Sequence, residues 1–247
     1  ARKRFIIKET GNKKNILLKK NYEIMKNTVE IDMTQGDPIL MEAYKQFYEM
    51  KSEINEHLPT LYSLAKQCDS VCELGVCHGK SSRALLASGT KLRSYDVWIE
   101  QNVKALFEHA KSIGNDVEYI KENSIKADIE ECDMLFIDTW HHYYQLRKEL
   151  ELHADKAKKW IVMHDTVSFG SSGEKWTSWG NGNGKYAQYG VDARIEYEEL
   201  CSDLDTDEID DIGINSAIFE FLSENPQWRV KKHYKNNSGL TVLERHG

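Results

Sequence analysis

No stretch of the 247 residues stays apolar for the roughly 18 positions that a membrane helix needs. The basic start is not followed by an apolar run and a small-residue cleavage site. Neither a membrane span nor a secretory signal is expected. The five cysteines (Cys68, Cys72, Cys77, Cys132 and Cys201) are odd in number and never spaced C-x-x-C, which argues against a disulfide framework and a cysteine-held zinc. Reduced thiols suit a cytoplasmic setting. An excess of basic charge is also missing. At a net charge of −7 the chain offers phosphates no basic face, so nucleic acid is not an expected partner. There is no internal repeat and no G-x-G-x-x-G fingerprint.

What is present is unevenly distributed. The first twenty residues hold eight Lys/Arg and one Glu, and residues 1–30 read as a basic linker or N-terminal extension before one domain over 31–247. The chain begins at Ala1, so it reads as a piece excised from a larger chain. The stretch Asp203–Asp211 is strongly acidic. Both charge runs read as solvated surface, and a homo-oligomer stays open.

Helical spacing predicts a helix over Pro38–Met50 and another over Ser52–Gln67, kinked or split by Pro59. Short apolar strands then alternate with helices. The strands are Val71–Leu74, Leu92–Val97, Val117–Ile120, Met134–Ile137 and Trp160–Met163. The helices are Ser81–Ser88, Val103–Ile113, Tyr143–Ala157 and, later, Asn215–Ser223. Two last strands, Trp228–His233 and Leu240–Glu244, flank the turn Asn236–Gly239. The expectation is an α/β fold: a doubly wound, mostly parallel seven-stranded sheet closed by an antiparallel C-terminal hairpin. Residues 168–190, with six glycines and four Trp/Tyr, read as a long functional loop.

Chemistry gathers at the strand ends. Glu73-Leu74-Gly75-Val76-Cys77-His78-Gly79-Lys80-Ser81 runs from a strand through a glycine turn into a helix start, where backbone N–H groups are free. An acid at that turn would repel a pyrophosphate and suit an amino group. Asp96, beside Val97 at the end of the second strand, suits the two hydroxyls of a ribose. A phosphate-free, positively charged nucleoside fits this set, and S-adenosylmethionine is one. Asn123 and Ser124, after the third strand, would lie beside its adenine. Asp138 ends the fourth strand, and His164-Asp165 end the fifth. The topology converges these three into a set for Mg²⁺ or Mn²⁺, with the imidazole favouring the latter.

These segments, with IDTWHHYYQLRKEL, IVMHDT and GINSAIFEFLSENPQW, resemble class I S-adenosylmethionine-dependent methyltransferases of Rossmann-like fold. Within that class they are most similar to the rhamnosyl O-methyltransferase and cephalosporin hydroxylase group. The resemblance covers roughly residues 37–246. It implies methyl transfer to a hydroxyl, often on a sugar, with rhamnose in a glycan the first candidate. Asp138, His164 and Asp165 match the family's metal positions, although His164 stands where an acid is usual. His141 matches the position of a base, and His142 is the second candidate. Asp138 is counted as catalytic and at the cofactor's edge as well. Trp140, and Trp176, Trp179 and Tyr186 of the aromatic loop, are expected to meet the sugar. The parent chain would then be a multidomain glycan-modifying protein. Competing expectations are an NAD-type oxidoreductase, a metal-dependent hydroxylase and a non-catalytic glycan- or cofactor-binding domain of a glycosyltransferase.

Overall fold

The computed structural model describes residues 35–174 and 212–246, all within the unit Asp32–Gly247. The basic extension, the acidic stretch, and Trp176, Trp179 and Tyr186 lie outside the described residues.

The strands are β1 (Ser70–Leu74), β2 (Lys91–Asp96), β3 (Val117–Lys121), β4 (Cys132–Ile137), β5 (Ala157–His164), β6 (Trp228–Tyr234) and β7 (Leu240–Arg245). They form one seven-stranded sheet in the order β3-β2-β1-β4-β5-β7-β6. The first five are parallel, and β7 runs antiparallel to both its neighbours, β5 and β6. The helices among the described residues are α1 (Pro38–Glu49), α2 (Leu58–Ala65), α3 (Lys80–Ala87), α4 (Gln101–Ser112), α5 (Tyr143–His153) and α6 (Ile214–Glu224). The expected alternation and the edge hairpin are both present.

Two segments differ most from the sequence reading. Pro59 does not kink a helix. It sits in the first turn of α2, where its missing N–H costs nothing, and a 3₁₀ turn (Asn55–His57) precedes it. The helix expected to reach Ala157 ends at His153, and Ala157 already pairs with Cys132 as the first residue of β5. Lys158 and Lys159 hid that strand start, because both point outward to acids, Glu131 at 2.7 Å and Asp133 at 3.1 Å.

Strand alternation decides which helix each residue meets. Cys72, Leu74, Leu135 and Ile137 face α5 and α6, in one cluster with Leu146, Leu150, Ile218 and Phe221. Glu73 faces the other way, towards α3, and is fully buried. Its Oε1 accepts from Ser81 Oγ at 2.6 Å, and its Oε2 from Ser82 Oγ at 2.8 Å and Ser94 Oγ at 2.5 Å. Ser94 is its register neighbour on β2. One carboxylate thus fastens β1, β2 and α3. Burial pushes its pKa up to about 7, against the three hydroxyls, which favour the charged form.

Two outcomes are expected for Glu73. Its pKa is about 7 in the fold and 4.5 as an ordinary Glu, so stability falls as pH rises through that window. In E73Q that slope flattens in thermal melts. E73A strips three buried hydroxyls of their acceptor and costs about 1–3 kcal/mol for each one that finds no other partner.

Candidate active site

The carboxyl ends of β1, β2, β3, β4 and β5 share one edge of the sheet, where open α/β folds bind ligands. The turn after β1 carries three positive φ angles, Gly75 (88°), Cys77 (49°) and Gly79 (66°). A Cβ on Gly75 would stand 2.1 Å from the Asp138 carbonyl oxygen, so glycine is needed for the close approach of the β1 and β4 ends. Asp138 N donates to Leu74 O at 2.9 Å across the same gap. Gly79 forms the N-cap of α3 in left-handed geometry, and a Cβ there would meet Val103 Cγ2 at 2.4 Å.

Asp96 ends β2 beside this turn. Its Oδ2 accepts from Val76 N and Cys77 N, each at 2.8 Å, and its Oδ1 accepts from Trp98 N at 3.1 Å. Val97 stands exposed at the rim. Asn123 Oδ1 accepts from Ile125 N at 3.1 Å and shapes the turn after β3. Three expected cofactor contacts turn away from the edge. Glu73 and Ser81 bond each other in the interior. Ser124 is buried and donates to Glu149 Oε1 at 2.5 Å. The cause is strand and helix phase: an acid next to a glycine turn reaches the cleft only when its side chain leaves the sheet at that end.

Glu149 was not anticipated. It lies on the apolar face of α5, fully buried, and also accepts from Gln145 Nε2 at 2.8 Å and Thr139 Oγ1 at 2.9 Å. Burial pushes its pKa up to about 7. It ties the β3 turn to the β4 turn from behind, as Glu73 ties β1 to β2.

The β4 and β5 ends hold the densest charge. Register pairs Ile137 with Met163, so Asp138 and His164-Asp165 emerge side by side although distant in sequence. His141 Nε2 lies 3.2 Å from Asp138 Oδ1 and 2.8 Å from Asp165 Oδ2. Its Nδ1 lies 2.9 Å from Glu174 Oε2. His164 Nδ1 approaches the same two oxygens, at 3.3 Å and 3.1 Å. His164 Nε2 faces the carbonyls of Glu53 and Asn237, each at 3.3 Å. Asp165 holds a φ of 58°, a left-handed conformation that surrounding bonds must sustain.

The set that converges for a cation is Asp138, His141 and Asp165, whose ligand atoms lie within 4.8 Å of one another. The sequence reading had His164 as ligand and His141 as base. The donor chemistry, two carboxylates and one imidazole, fits a divalent ion. Charge balance follows from the geometry. Burial disfavours the charge on His164, but Asp138 and Asp165 outweigh it and hold its pKa up to about 10. Burial likewise opposes charge on His141, and its three carboxylate partners hold it well above the usual range. Burial would raise both aspartates. The imidazoles overcome it and hold them below the ordinary value.

Behind His164 stands His57, buried, with Nε2 donating to Asn236 O at 3.0 Å and Asn237 O at 3.1 Å. Burial, reinforced by the charge on His164, lowers its pKa to about 4. The Asn237 side chain reaches Ser52 O at 2.5 Å and accepts from Glu56 N at 2.9 Å. The hairpin turn is thereby pinned to the segment before α2.

His142 is corrected as a catalytic candidate. It is fully buried at the N-cap of α5 and stacks on Trp140 at 4.6 Å, out of reach of an acceptor. Trp140 is half-buried beside it.

No protein-family model matches the chain, and no curated protein matches it in sequence. Solved structures match across nearly the whole length. The methyltransferase PaMTH1 of Podospora anserina, bound to S-adenosylhomocysteine, aligns at a TM-score of 0.51 and 14% identity over 99% of this chain and 100% of its own. A candidate caffeoyl-CoA O-methyltransferase from Staphylococcus aureus aligns at 0.51 and 13%, over 93% and 99%. A candidate O-methyltransferase from Klebsiella pneumoniae aligns at 0.52 and 13%, over 92% and 96%. The fold is therefore the Rossmann-like fold shared with these methyltransferases. At such identities the likeness defines the architecture and leaves the chemistry to the residues.

The His164 charge gives a pH signature in chelator-treated protein. Its pKa is about 10 folded and 6.5 as an ordinary His. The stabilisation is full below 6.5 and is lost as pH rises through 10. Melting temperatures should fall across that window, and H164Q should flatten the fall.

Proposed function

We propose that the protein is an S-adenosylmethionine-dependent O-methyltransferase that methylates a sugar hydroxyl, with rhamnose in a glycan as the first acceptor to try. The observation that carries the reading is the convergence of Asp138, His141 and Asp165 next to the β1 turn. The methyltransferase fold supports it. The sugar acceptor rests on the sequence resemblance to rhamnosyl O-methyltransferases.

Bound S-adenosylmethionine supplies a methyl group on a sulfonium, and a bound divalent cation supplies Lewis acidity. The chain's residues do the positioning, which dominates an in-line displacement. Asp96 receives the ribose, with its Oδ2 held by the Val76 and Cys77 amides and its Oδ1 by the Trp98 amide. Asn123 borders the adenine, and Val97 and the Gly75–Gly79 turn border the rest of the nucleoside. Glu73 stays behind the turn and gives the ligand's amino group no partner. Asp138, whose backbone meets Gly75 and Leu74 across the turn, is the carboxylate offered to that amino group instead. Asp138, His141 and Asp165 hold the cation, and His164 braces both carboxylates. Trp140 walls the acceptor side, with Trp176, Trp179 and Tyr186 as further sugar platforms. The setting we propose is cytoplasmic.

One observation favours a second reading. Two imidazoles and two carboxylates meet here, and two imidazoles with one carboxylate form the set used by iron(II) oxygenases. Oxygen dependence separates the two.

Full-length protein incubated with methyl-labelled S-adenosylmethionine and rhamnose-terminated glycans should transfer label, without oxygen. D138A should reduce transfer about a hundredfold or more. Calorimetry should detect S-adenosylhomocysteine and not NAD. Full activity in D138A would refute the site. NAD binding without S-adenosylhomocysteine binding would refute the cofactor.

A further inference from the structure

His141 is held on every side. Its ring stacks on Phe169 at 4.8 Å with planes 4° apart. Its carbonyl accepts from Glu174 N at 2.8 Å, while its Nδ1 lies 2.9 Å from Glu174 Oε2. A carboxylate oxygen accepts the hydrogen bond, so Nδ1 carries the proton that points at Glu174. Nε2, on the far side of the ring, aims at Asp138 Oδ1 and Asp165 Oδ2. What sits among these three atoms must be positive, a proton in the ion-free protein or a divalent cation in its place.

We propose that Glu174 is a positioning residue that locks the His141 tautomer, so that Nε2 serves as the nitrogen ligand of a divalent d-block cation shared with Asp138 and Asp165. A carboxylate on the remote nitrogen of a ligating imidazole fixes its plane and raises its basicity. The nitrogen donor selects against Mg²⁺, which prefers an all-oxygen shell. His141 then binds the cation rather than serving as the proton acceptor, and the acceptor hydroxyl's proton, which the cation would acidify, leaves to solvent. Glu174 belongs to the turn after β5, beyond Phe169, so the site is assembled from three successive segments: the β4 end, the β5 end and that turn. The inference rests on the cation reading of the site and is independent of methyl transfer.

The test uses full-length protein, with Co²⁺ and Mg²⁺ titrations by calorimetry and pulsed EPR of bound Mn²⁺. Co²⁺ should bind at least tenfold tighter than Mg²⁺. E174Q should weaken Co²⁺ about 10–100-fold, and E174D should recover part of the loss. Wild type should show imidazole nitrogen coupling to Mn²⁺, and H141Q should lose it. Wild-type Co²⁺ affinity in both E174Q and H141Q would overturn the proposal, as would Mn²⁺ bound without nitrogen coupling. Neither Co²⁺ nor Mn²⁺ binding to wild type would overturn it together with the cation site. Retained S-adenosylhomocysteine binding would then leave the methyl-donor reading standing. The wild-type EPR result decides the ligand even if a variant fails to fold.

Discussion

Two aspartates at the ends of neighbouring strands share the same imidazole nitrogen, and two like charges in a half-enclosed site are costly to keep. Asp138 and Asp165 are neighbours because parallel register leaves no choice: Ile137 pairs with Met163, and the next residues follow. The surroundings are arranged to hold positive charge against them. His164 and His141 supply it. His57, kept neutral, buttresses His164 through the shared carbonyl of Asn237. The hairpin at the sheet edge therefore does more than close the sheet. Its turn reaches back to hold the imidazole that neutralises the pair.

A rigid rear supports this front. Glu73 fastens β1, β2 and α3 from one face of the sheet, and Glu149 fastens the β3 and β4 turns from the other. Each buried carboxylate is satisfied by three side-chain donors, which is how an interior tolerates such groups. A site built on strand ends and fixed from behind can hold an acceptor within the tolerance that methyl transfer requires.

The alternation of strands and helices was legible because each parallel strand is a short apolar run between breakers. The two lysines that begin β5 were not, since exposed charge at a strand start carries no apolar signal. The strand-end positions Asp96, Asp138 and Asp165 could be read from topology alone. Glu73 was misplaced because a glycine turn says where the chain bends, not which face its acid takes. Alternation with Cys72 and Leu74 carried that information. That His141 joins His164 at the same two oxygens was hidden for another reason: only side-chain geometry shows which ring nitrogen each one presents. Glu149 and Glu174 could not be found, because each is tied to a side chain far off in sequence, Ser124 at 25 positions and His141 at 33.

In the proposed function, one edge of the sheet binds a nucleoside at Asp96 and a cation between β4 and β5. A crystal structure grown with S-adenosylhomocysteine and Mn²⁺, with anomalous data at the manganese edge, tests both at once. The expected result is an anomalous peak bonded to Asp138, His141 Nε2 and Asp165, with the ribose hydroxyls on Asp96. A peak elsewhere with these three side chains still bonded to one another, or a ribose bound away from Asp96, would contradict it.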